Sequence, residues 1–510
     1  MIVVYHNNTC ITRVESKEKK EISFSMDESI AYGLMQLAIQ FPESKLVWCY
    51  QECSKHINIE VVPELMHHQK IMLSYNPSGS NYLGSRIGYV EDSPFININK
   101  KVSYPTWQMS SLVGVVYGSV LLTFKDKIKL DSDFDYYLNS IAKVGMPKGL
   151  LCYSEPKLLV KNEIILPIQD ISTFMLFRFV KQHYRMRWVF LLFLNLLIYE
   201  KCYQLLSLIR SLVFRNRNLS NVNFDMIEVQ STKKVVTTGT IDVIIPTIGR
   251  KDYLYDVLQD LAKQTHLPIN VIIVEQNPQE NSVSELDYLQ TEKWPFVIKH
   301  TFTHQAGACN ARNLALSQVE SEWVFLNDDD NRLDENLVNN VFKRVTQYGT
   351  DAIITSYLQP CEIQLYKTIH QSGIFGSGNS FVKSEFLRFV SFDKALEFGY
   401  GEDTDFGFQL RNKGHDVIYF PDLKITHLKA PIGGFRIKPT FAWSNEAVQP
   451  KPSPSMMYVK QKNNTKEQLL GYKMVLFFKL FKKEPVLNYL FFLKTFQRKW
   501  FVSKYWAKNI

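Results

Sequence analysis

The chain has 510 residues, of which 45% are hydrophobic and 21% charged. This composition is typical of folded proteins and excludes a disordered or low-complexity chain. One hydrophobic core rarely serves so many residues, so we expect two or three domains. The formal net charge of +9 favours anionic partners, whether nucleotides, nucleic acid or an acidic membrane surface, without selecting one of them.

The N-terminus, MIVVYHNNTC, has neither the basic region nor the long apolar run of a secretory signal peptide. We therefore expect a cytoplasmic protein, peripheral on the inner face of the cell membrane if its basic segments bind lipid. Seven cysteines are scattered without a CxxC pair, a pattern that favours reduced thiols over a disulfide framework or a zinc site.

Two segments combine apolar and basic residues. The run from Trp188 to Tyr199 is too short for a membrane-spanning helix, which needs about 20 residues, and predicts an amphipathic helix instead. The tail 472–506 interleaves aromatic residues with Lys and Arg at roughly helical spacing. It is interpreted either as a helical hairpin that packs on the body of the protein or as a surface that docks on anionic lipid.

From Ile241 onward, short apolar runs alternate with longer helix-like segments, which indicates βαβ units around a mostly parallel sheet. The predicted strands are 243–246, 271–274, 297–302, 323–326, 352–356 and 417–420. A helix is predicted over Lys251 to Thr265, and the polar segment 216–240 is the predicted linker before this α/β domain.

The first half of the chain resembles the second in three places. Segment 37–53 aligns without a gap with 314–330. Segment 130–145 loosely resembles 400–414, and segment 179–182 matches 458–461. The three matches occur in one order and at nearly one spacing, which indicates a diverged internal duplication. The predicted domains are 1–170 (the diverged copy), 171–240 (helical segment and linker), 241–445 (α/β domain) and 446–510 (basic aromatic helical tail).

Three adjacent aspartates, Asp328, Asp329 and Asp330, follow the predicted strand 323–326. Ligands bind at the carboxyl ends of strands in a parallel sheet, and adjacent carboxylates repel one another unless a cation or several donors offset their charge. Asp328 and Asp330 could share a divalent metal ion. The alternative is a solvated turn that caps the next helix.

Three further segments carry candidate groups. Glu402 and Asp403 precede an apparent helix, where acidic residues serve as caps or as a base for an attacking hydroxyl. Arg312 lies in the first turns of another helix and could pair with a diphosphate. His427 follows a strand-like run and is either a nitrogen ligand or a structural histidine.

Taken in order, these segments resemble family 2 glycosyltransferases, inverting enzymes of GT-A fold that use nucleotide-sugar donors. The resemblance covers residues 241 to about 435. Its motifs are VIIPTIGR (243–250), VEQNP (274–278), GACNARN (307–313), FLNDDDN (325–331), GSGNSFVKS (376–384), GEDTDF (401–406) and THL (426–428).

The resemblance implies a role for each matching residue. Asp328 and Asp330 correspond to the family's DxD pair, which binds Mn²⁺ or Mg²⁺ and the donor diphosphate, with His427 as a third metal contact. Asp403 corresponds to the catalytic base, and Glu402 lies beside it.

The resemblance also implies a donor site. Its predicted residues are Pro246, Thr247, Arg250, Glu275, Gln276, Arg312, Asp328 and Asp329. The family usually has Asp-Asp or Asp-Asn where this chain has Glu275 and Gln276, so the nucleobase stays open, although a UDP-sugar is favoured.

The function implied is metal-dependent, inverting transfer of a hexosyl or related sugar to a glycan or lipid-linked acceptor in surface polysaccharide or glycoconjugate synthesis. Two alternatives are a two-site glycan polymerase and a non-catalytic scaffold that binds glycan or nucleotide. At the positions of Asp328 and Asp330, the N-terminal copy has Gln51 and Cys53, poor ligands for Mg²⁺ or Mn²⁺. This copy is therefore interpreted as a degenerate GT-A-like domain that binds acceptor glycan or braces the active half. No nucleic-acid motif accompanies the basic charge, and the loops around 360–380 and 430–450 are expected to set specificity.

Overall fold

The computed structural model describes residues 1–18, 20, 22, 28–160, 171–217, 221–431, 440–482 and 489–510. These residues form two compact units, Met1–Lys233 with Asn464–Lys479 and Lys234–Asn463 with Leu480–Ile510. Some predictions fall partly outside the described residues: the end of the first domain (161–170), the linker (218–220), a specificity loop (432–439) and the tail (483–488).

The C-terminal unit contains a nine-stranded sheet within its described residues. Its strands are β8 (Ile241–Thr247), β9 (Asn270–Gln276), β10 (Val297–Thr303), β11 (Trp323–Asn327), β12 (Asn331–Leu333), β13 (Ala352–Leu358), β14 (His370–Gln371), β15 (Asn379–Lys383) and β16 (Ile418–His427). Its helices are α8 (Lys251–Ala262), α9 (Tyr288–Thr291), α10 (Ala308–Leu316), α11 (Leu337–Tyr348), α12 (Glu402–Asn412), α13 (Pro454–Asn463) and α15 (Tyr489–Ala507).

The strand order of this sheet is β10-β9-β8-β11-β15-β13-β16-β12, with β14 paired to β16. The four strands from β10 to β11 are parallel, whereas β15 runs antiparallel to both of its neighbours. The α/β fold class predicted from the sequence is confirmed, and each of the six predicted strands overlaps an observed one. The antiparallel strands β12, β14 and β15 were not predicted, and they make the sheet mixed.

The central strands are apolar because both faces of the sheet are covered. Strand β9 is buried along its whole length, and Phe325 of β11 stacks on Phe381 of β15 at a centroid distance of 4.1 Å. Helix α8, which was predicted from the sequence, packs through its buried residues Leu254, Val257 and Leu261. The aspartate triplet therefore directly follows a strand that is packed on both faces. This packing fixes the position of the three carboxylates.

The N-terminal unit contains a seven-stranded sheet of order β2-β1-β3-β6-β4-β7-β5. Its strands are β1 (Ile2–His6), β2 (Ile11–Ser16), β3 (Lys45–Tyr50), β4 (Ile71–Tyr75), β5 (Tyr104–Pro105), β6 (Val113–Tyr117) and β7 (Leu151–Ser154). Its helices are α1 (Ile30–Gln40), α2 (Val62–Leu65), α3 (Gly118–Leu122), α4 (Phe134–Gly145), α5 (Thr173–His183), α6 (Met186–Tyr199), α7 (Leu205–Ser211) and α14 (Lys466–Phe481), whose last two residues fall in the C-terminal unit.

The two sheets share a pattern of strand pairing. Strands β1, β3, β6, β4 and β7 pair in the same order and the same directions as β8, β11, β15, β13 and β16. In each unit a short antiparallel strand, β5 or β14, pairs with the last strand of this series. The sheets differ at the first strand, since β8 is flanked by the parallel strand β9 whereas β1 is flanked by the antiparallel strand β2.

The predicted helical segments are observed as helices. The run from Trp188 to Tyr199 lies within α6, and the described tail consists of α14 and α15. In the part of the chain that the structure describes, none of the helices has the length and apolar character needed to cross a membrane.

Candidate active site

The middle aspartate of the triplet points toward the end of β8. Thr247 Oγ1 donates a hydrogen bond of 2.7 Å to Asp329 Oδ2, and Arg250 Nη1 donates one of 2.6 Å to Asp329 Oδ1. Burial raises the pKa of Asp329 to about 6, against the lowering effect of Arg250 and Thr247. Both oxygens of Asp329 are thus engaged by the protein itself, which leaves this carboxylate to organise the loop after β8.

Asp330 is buried and meets the loop after β16. Its Oδ2 accepts a hydrogen bond of 2.8 Å from the backbone N–H of Ala430 and lies 3.3 Å from Arg250 Nη1. Its Oδ1 lies 3.4 Å from His427 Nε2 and accepts no hydrogen bond from the residues described. Burial raises the pKa of Asp330, but His427, Ala430 and Arg250 together hold it below its ordinary value.

Asp328 is contacted by side chains from α10 and β13. Arg312 Nη2 contacts its Oδ1 at 3.0 Å, and Tyr357 Oη lies 3.0 Å from its Oδ2. The Tyr357 ring stacks on the His427 ring at 4.7 Å. A Cβ at Gly378 would lie only 2.0 Å from Asp328 Oδ2, so only glycine leaves room for this carboxylate.

These residues form a candidate metal centre. Asp328, Asp330 and His427 each offer a ligand atom, and the three atoms lie within 4.8 Å of one another. Carboxylate oxygens with one imidazole nitrogen suit Mn²⁺ or Mg²⁺. The buried Asp330 Oδ1, without a hydrogen bond from the described residues, is an oxygen that a cation would satisfy. The residues present therefore fit a divalent ion.

A second pair of carboxylates stands at the first turn of α12. The backbone N–H of Ser377 donates a hydrogen bond of 3.0 Å to Asp403 Oδ1. Burial raises the pKa of Asp403, although the Arg312 charge and Ser377 lower it. Burial and the neighbouring Asp403 charge also raise the pKa of Glu402. A buried carboxylate of raised pKa is suited to accept a proton.

Two of the predicted donor residues, Glu275 and Gln276 at the end of β9, point in different directions. Gln276 faces the cleft, where its Oε1 accepts a hydrogen bond of 2.6 Å from the Gly307 N–H. Glu275 points away because side chains alternate along a strand, and its Oε2 lies 2.9 Å from His300 Nε2. Glu275 is the one predicted site residue that does not line the cleft.

The cleft contains all the other predicted site residues. It is lined by Pro246, Thr247, Arg250, Gln276, Arg312, Asp328, Asp329, Asp330, Glu402, Asp403 and His427, together with Ile248, Gly307, Ala308, Ser377, Phe398 and Lys429. A second cavity adjoins the cleft. It is lined by residues of β13, the segment 362–379 and Tyr419. Asp328, Ser377 and Asp403 line both spaces, so these three residues stand between them.

Residues 242–396 match the family model described as Glycosyl transferase family 2. This part of the chain is a family 2 glycosyltransferase domain. Glycosyltransferase GlyG of Streptococcus pneumoniae serotype 4 is 25% identical over 117 residues, 23% of this chain and 38% of GlyG. An uncharacterized glycosyltransferase of Haemophilus influenzae is 32% identical over 91 residues, 18% of this chain and 29% of that protein. The chain thus spans less than half the length of these relatives.

Among solved structures, S. aureus TarS in complex with UDP-GlcNAc is similar to this chain with a TM-score of 0.33 and 18% identity. That similarity covers 46% of this chain and 70% of the TarS chain. A mannosyltransferase from Pyrobaculum calidifontis, in complex with GDP-Man and Mn²⁺, is similar with a TM-score of 0.31 and 16% identity, over 40% of this chain and 62% of the other. Both likenesses are weak.

The C-terminal unit contains residues at or next to the candidate site that sequence reasoning missed. Glu397 accepts hydrogen bonds from the backbone N–H groups of Cys309 (2.9 Å) and Asn310 (2.8 Å) at the start of α10. Nothing near Glu397 in the sequence indicates this contact across the fold. Tyr357 had a signal, since it directly follows the predicted strand 352–356 and so lies at the ligand-binding end of the sheet.

Proposed function

We propose that the C-terminal unit transfers a sugar from a nucleotide-sugar donor to a hydroxyl group of a glycan or lipid-linked acceptor. The observation that carries this proposal is that Asp328, Ser377 and Asp403 line both the cleft and the second cavity. A transferase needs two substrate spaces that meet at its reactive groups. A scaffold that only binds a ligand needs one.

The donor is assigned to the cleft. Its diphosphate would lie between Arg312 and the metal centre of Asp328, Asp330 and His427, where Mn²⁺ or Mg²⁺ would offset negative charge on the leaving group. The Arg312 guanidinium is buried, so its charge acts in a medium of low effective dielectric. Arg250 and Thr247 hold Asp329 at the base of the cleft, close to the expected position of the nucleoside.

The acceptor is assigned to the second cavity, and Asp403 to the role of base. The Ser377 N–H and the rigid first turn of α12 orient the Asp403 carboxylate. As the acceptor oxygen bonds to the anomeric carbon, its proton passes to Asp403 and the bond to the donor diphosphate breaks. Attack from the face opposite the leaving group inverts the configuration in a single displacement, without a covalent enzyme intermediate.

The acceptor class of this proposal is a surface polysaccharide or glycoconjugate, and a UDP-sugar is the favoured donor. We assign no nucleobase to the donor, because Glu275 contacts His300 and only Gln276 of this pair lines the cleft. We assign no second transfer reaction to the N-terminal unit, since Gln51 and Cys53 stand where a metal centre would need carboxylates.

We also propose that α15 holds the protein on an anionic membrane surface. Phe491, Phe501 and Tyr505 are exposed on one stripe of this helix, 71%, 69% and 54% respectively, and Lys494 and Arg498 lie on the same stripe. Aromatic side chains with neighbouring cations favour the interface of an acidic bilayer. A peripheral position would bring the active site close to a lipid-linked acceptor.

The transfer proposal is tested with a panel of UDP-, GDP- and dTDP-sugars in the presence of Mn²⁺, with release of the nucleoside diphosphate as the measurement. The parent protein, Asp330→Ala and Asp403→Asn are compared with Asp422→Asn, a control that changes a partly exposed aspartate paired with Arg344. We expect turnover only in the parent and the control. If no donor is turned over, the scaffold alternative is preferred. Equal activity of all four proteins would overturn the assignment of Asp330 and Asp403 to the site of transfer.

A further inference from the structure

The N-terminal unit contains a cavity of its own at the carboxyl ends of β4 and β3. It is lined by the ends of these strands, by segments 76–82 and 108–112, and by the first turn of α4. Four tyrosines are among its lining residues, namely Tyr50, Tyr75, Tyr82 and Tyr104. Its other described lining residues are mostly amides and hydroxyls, and only Lys100 and Asp135 among them are charged.

The shared strand pairing relates this cavity to the active site. In both units the α-helix that precedes the last strand of this series, α4 before β7 and α12 before β16, places an aspartate in its first turn. In the N-terminal unit the Ser111 N–H donates a hydrogen bond of 2.8 Å to Asp135 Oδ1, and Ser111 Oγ donates one of 2.7 Å to Oδ2. Ser377 and Asp403 make the corresponding backbone contact in the C-terminal unit. Asp135 is therefore the structural counterpart of Asp403.

In the described part of the N-terminal unit, only the acceptor side of the site has a counterpart. Strand β4, the segment before β6 and Ser154 of β7 line its cavity, as β13, the segment before β15 and Tyr419 of β16 line the second cavity of the C-terminal unit. The donor side is different, because the antiparallel strand β2 lies where β9 would bring a nucleotide-binding loop. Gln51 and Cys53 replace the metal-binding carboxylates.

Two polar groups of this cavity lack partners among the described residues. Gln108 is 7% exposed, and its Oε1 accepts a hydrogen bond of 2.6 Å from Asn81 Nδ2. Its Nε2 makes no hydrogen bond in the described part of the chain, nor does Oδ1 of Asn8, which also lines the cavity. Unsatisfied buried polar groups are costly, and a bound ligand that supplies the missing partners removes that cost.

We infer that this cavity is a binding site for a neutral saccharide and holds part of the acceptor glycan without reacting with it. Sugar hydroxyls both donate and accept hydrogen bonds, as required by the unpartnered Gln108 Nε2 and Asn8 Oδ1. Tyrosine rings offer apolar surfaces for the C–H faces of sugar rings. A phosphorylated ligand would need several cations, whereas the described lining offers only Lys100, whose ammonium group already bonds the Gly79 carbonyl.

The role as an acceptor site rests on the proposed function, but binding itself does not depend on transfer. Binding is therefore tested on the full chain by hydrogen–deuterium exchange, with and without millimolar maltotriose, cellotriose or the β-1,4-linked trisaccharide of N-acetylglucosamine as separate probes. We expect at least one trisaccharide to slow exchange in peptides covering 76–82 and 104–112. Protection by none of them, or only of peptides within 354–379, would overturn the inference, whether or not the donor assay detects turnover.

Two variants locate the contact. Gln108→Ala removes the unpartnered amide, and Asn8→Gly removes the unpartnered carbonyl at a position of positive φ, while Glu64→Gln alters an exposed side chain of the same unit as a control. For the trisaccharide that protects, we expect about tenfold weaker affinity in either of the first two variants and no change in the control, the fold-change typical of a lost hydrogen bond of about 1.4 kcal/mol. Unchanged affinity in both variants, with native circular dichroism spectra, would contradict the assignment.

Discussion

Gly378 lies so close to Asp328 that a Cβ on residue 378 would be 2.0 Å from the Asp328 Oδ2 atom. Asp328 directly follows β11 and Gly378 directly precedes β15, and the pairing of Asn327 with Asn379 at the strand ends brings them together. The position of a candidate metal ligand is thus set by the absence of a side chain elsewhere in the chain.

This contact predicts that Gly378→Ala displaces the Asp328 carboxylate and lowers the transfer rate by about 10²-fold or more, comparable with loss of an electrostatic group at an active site. The variant Asp422→Asn is the control, since it changes a partly exposed aspartate of the same unit that is paired with Arg344. Steady-state transfer rates measure the effect. Equal activities of Gly378→Ala and the parent would show that Asp328 needs no such space.

We expect substitutions of two adjacent aspartates to differ in their effect on Mn²⁺ affinity. Asp330→Ala should weaken binding of Mn²⁺ by about tenfold or more, because it removes a buried oxygen of the proposed ligand set. Asp329→Asn should leave Mn²⁺ affinity within about threefold of the parent, because both Asp329 oxygens are engaged by Thr247 and Arg250. Mn²⁺ binding is followed by the electron paramagnetic resonance signal of the free ion. A larger loss in Asp329→Asn than in Asp330→Ala would reverse the assignment.

Glu397 predicts a stability effect on the donor side of the cleft. Its carboxylate accepts the N–H groups of Cys309 and Asn310, and such caps at helix N-termini contribute about 0.5–2 kcal/mol. Glu397→Ala should lower the free energy of unfolding by about that amount, measured by denaturant titration, and should raise KM for the donor because α10 carries Arg312. Glu335→Ala changes an exposed glutamate of the same unit and serves as the control. A normal unfolding midpoint for Glu397→Ala would refute the capping role.

Asp135 predicts a pH dependence of stability. Burial raises its pKa in the folded protein to about 6, above the value of about 3.9 for an unfolded chain. Between these values the folded state binds more protons than the unfolded state, so this group contributes a stability that is lost as the pH rises from about 4 through 6. Asp135→Asn lacks this titration. We compare the thermal unfolding midpoints of the two proteins at each pH. The midpoint of Asp135→Asn should rise relative to that of the parent between pH 4 and pH 7, and a constant difference would contradict the prediction.

The exposed stripe of α15 predicts binding to acidic vesicles. The parent should float with vesicles that contain phosphatidylserine, and the double variant F491S/F501S should lose most of this binding because it removes two aromatic side chains from the stripe. M226S/V283S removes two exposed apolar side chains elsewhere, 96% and 76% exposed, and should float like the parent. Equal flotation of all three proteins would exclude this stripe as the docking surface.

The sequence alone determined the α/β class and most of the cleft. Apolar runs of strand length are a local pattern, and they predicted six strands at their observed places. The helix-like pattern over 251–265 likewise predicted α8. The resemblance of short motifs then indicated Asp328, Asp330, Asp403 and His427. Each motif follows a strand or begins a helix, so that general rules for α/β sheets were sufficient to bring them to one edge.

The tertiary structure decided which way the side chains point and which distant groups they meet. Glu275 and Gln276 look equivalent in the sequence, but the pleat of β9 turns only Gln276 into the cleft. The contacts of Glu397 with α10 and of Gly378 with Asp328 join residues far apart in the chain, and no local pattern encodes them. The correspondence of Asp135 with Asp403 likewise required strand pairing, because hydrogen bonds between strands define structural equivalence after the side chains have diverged.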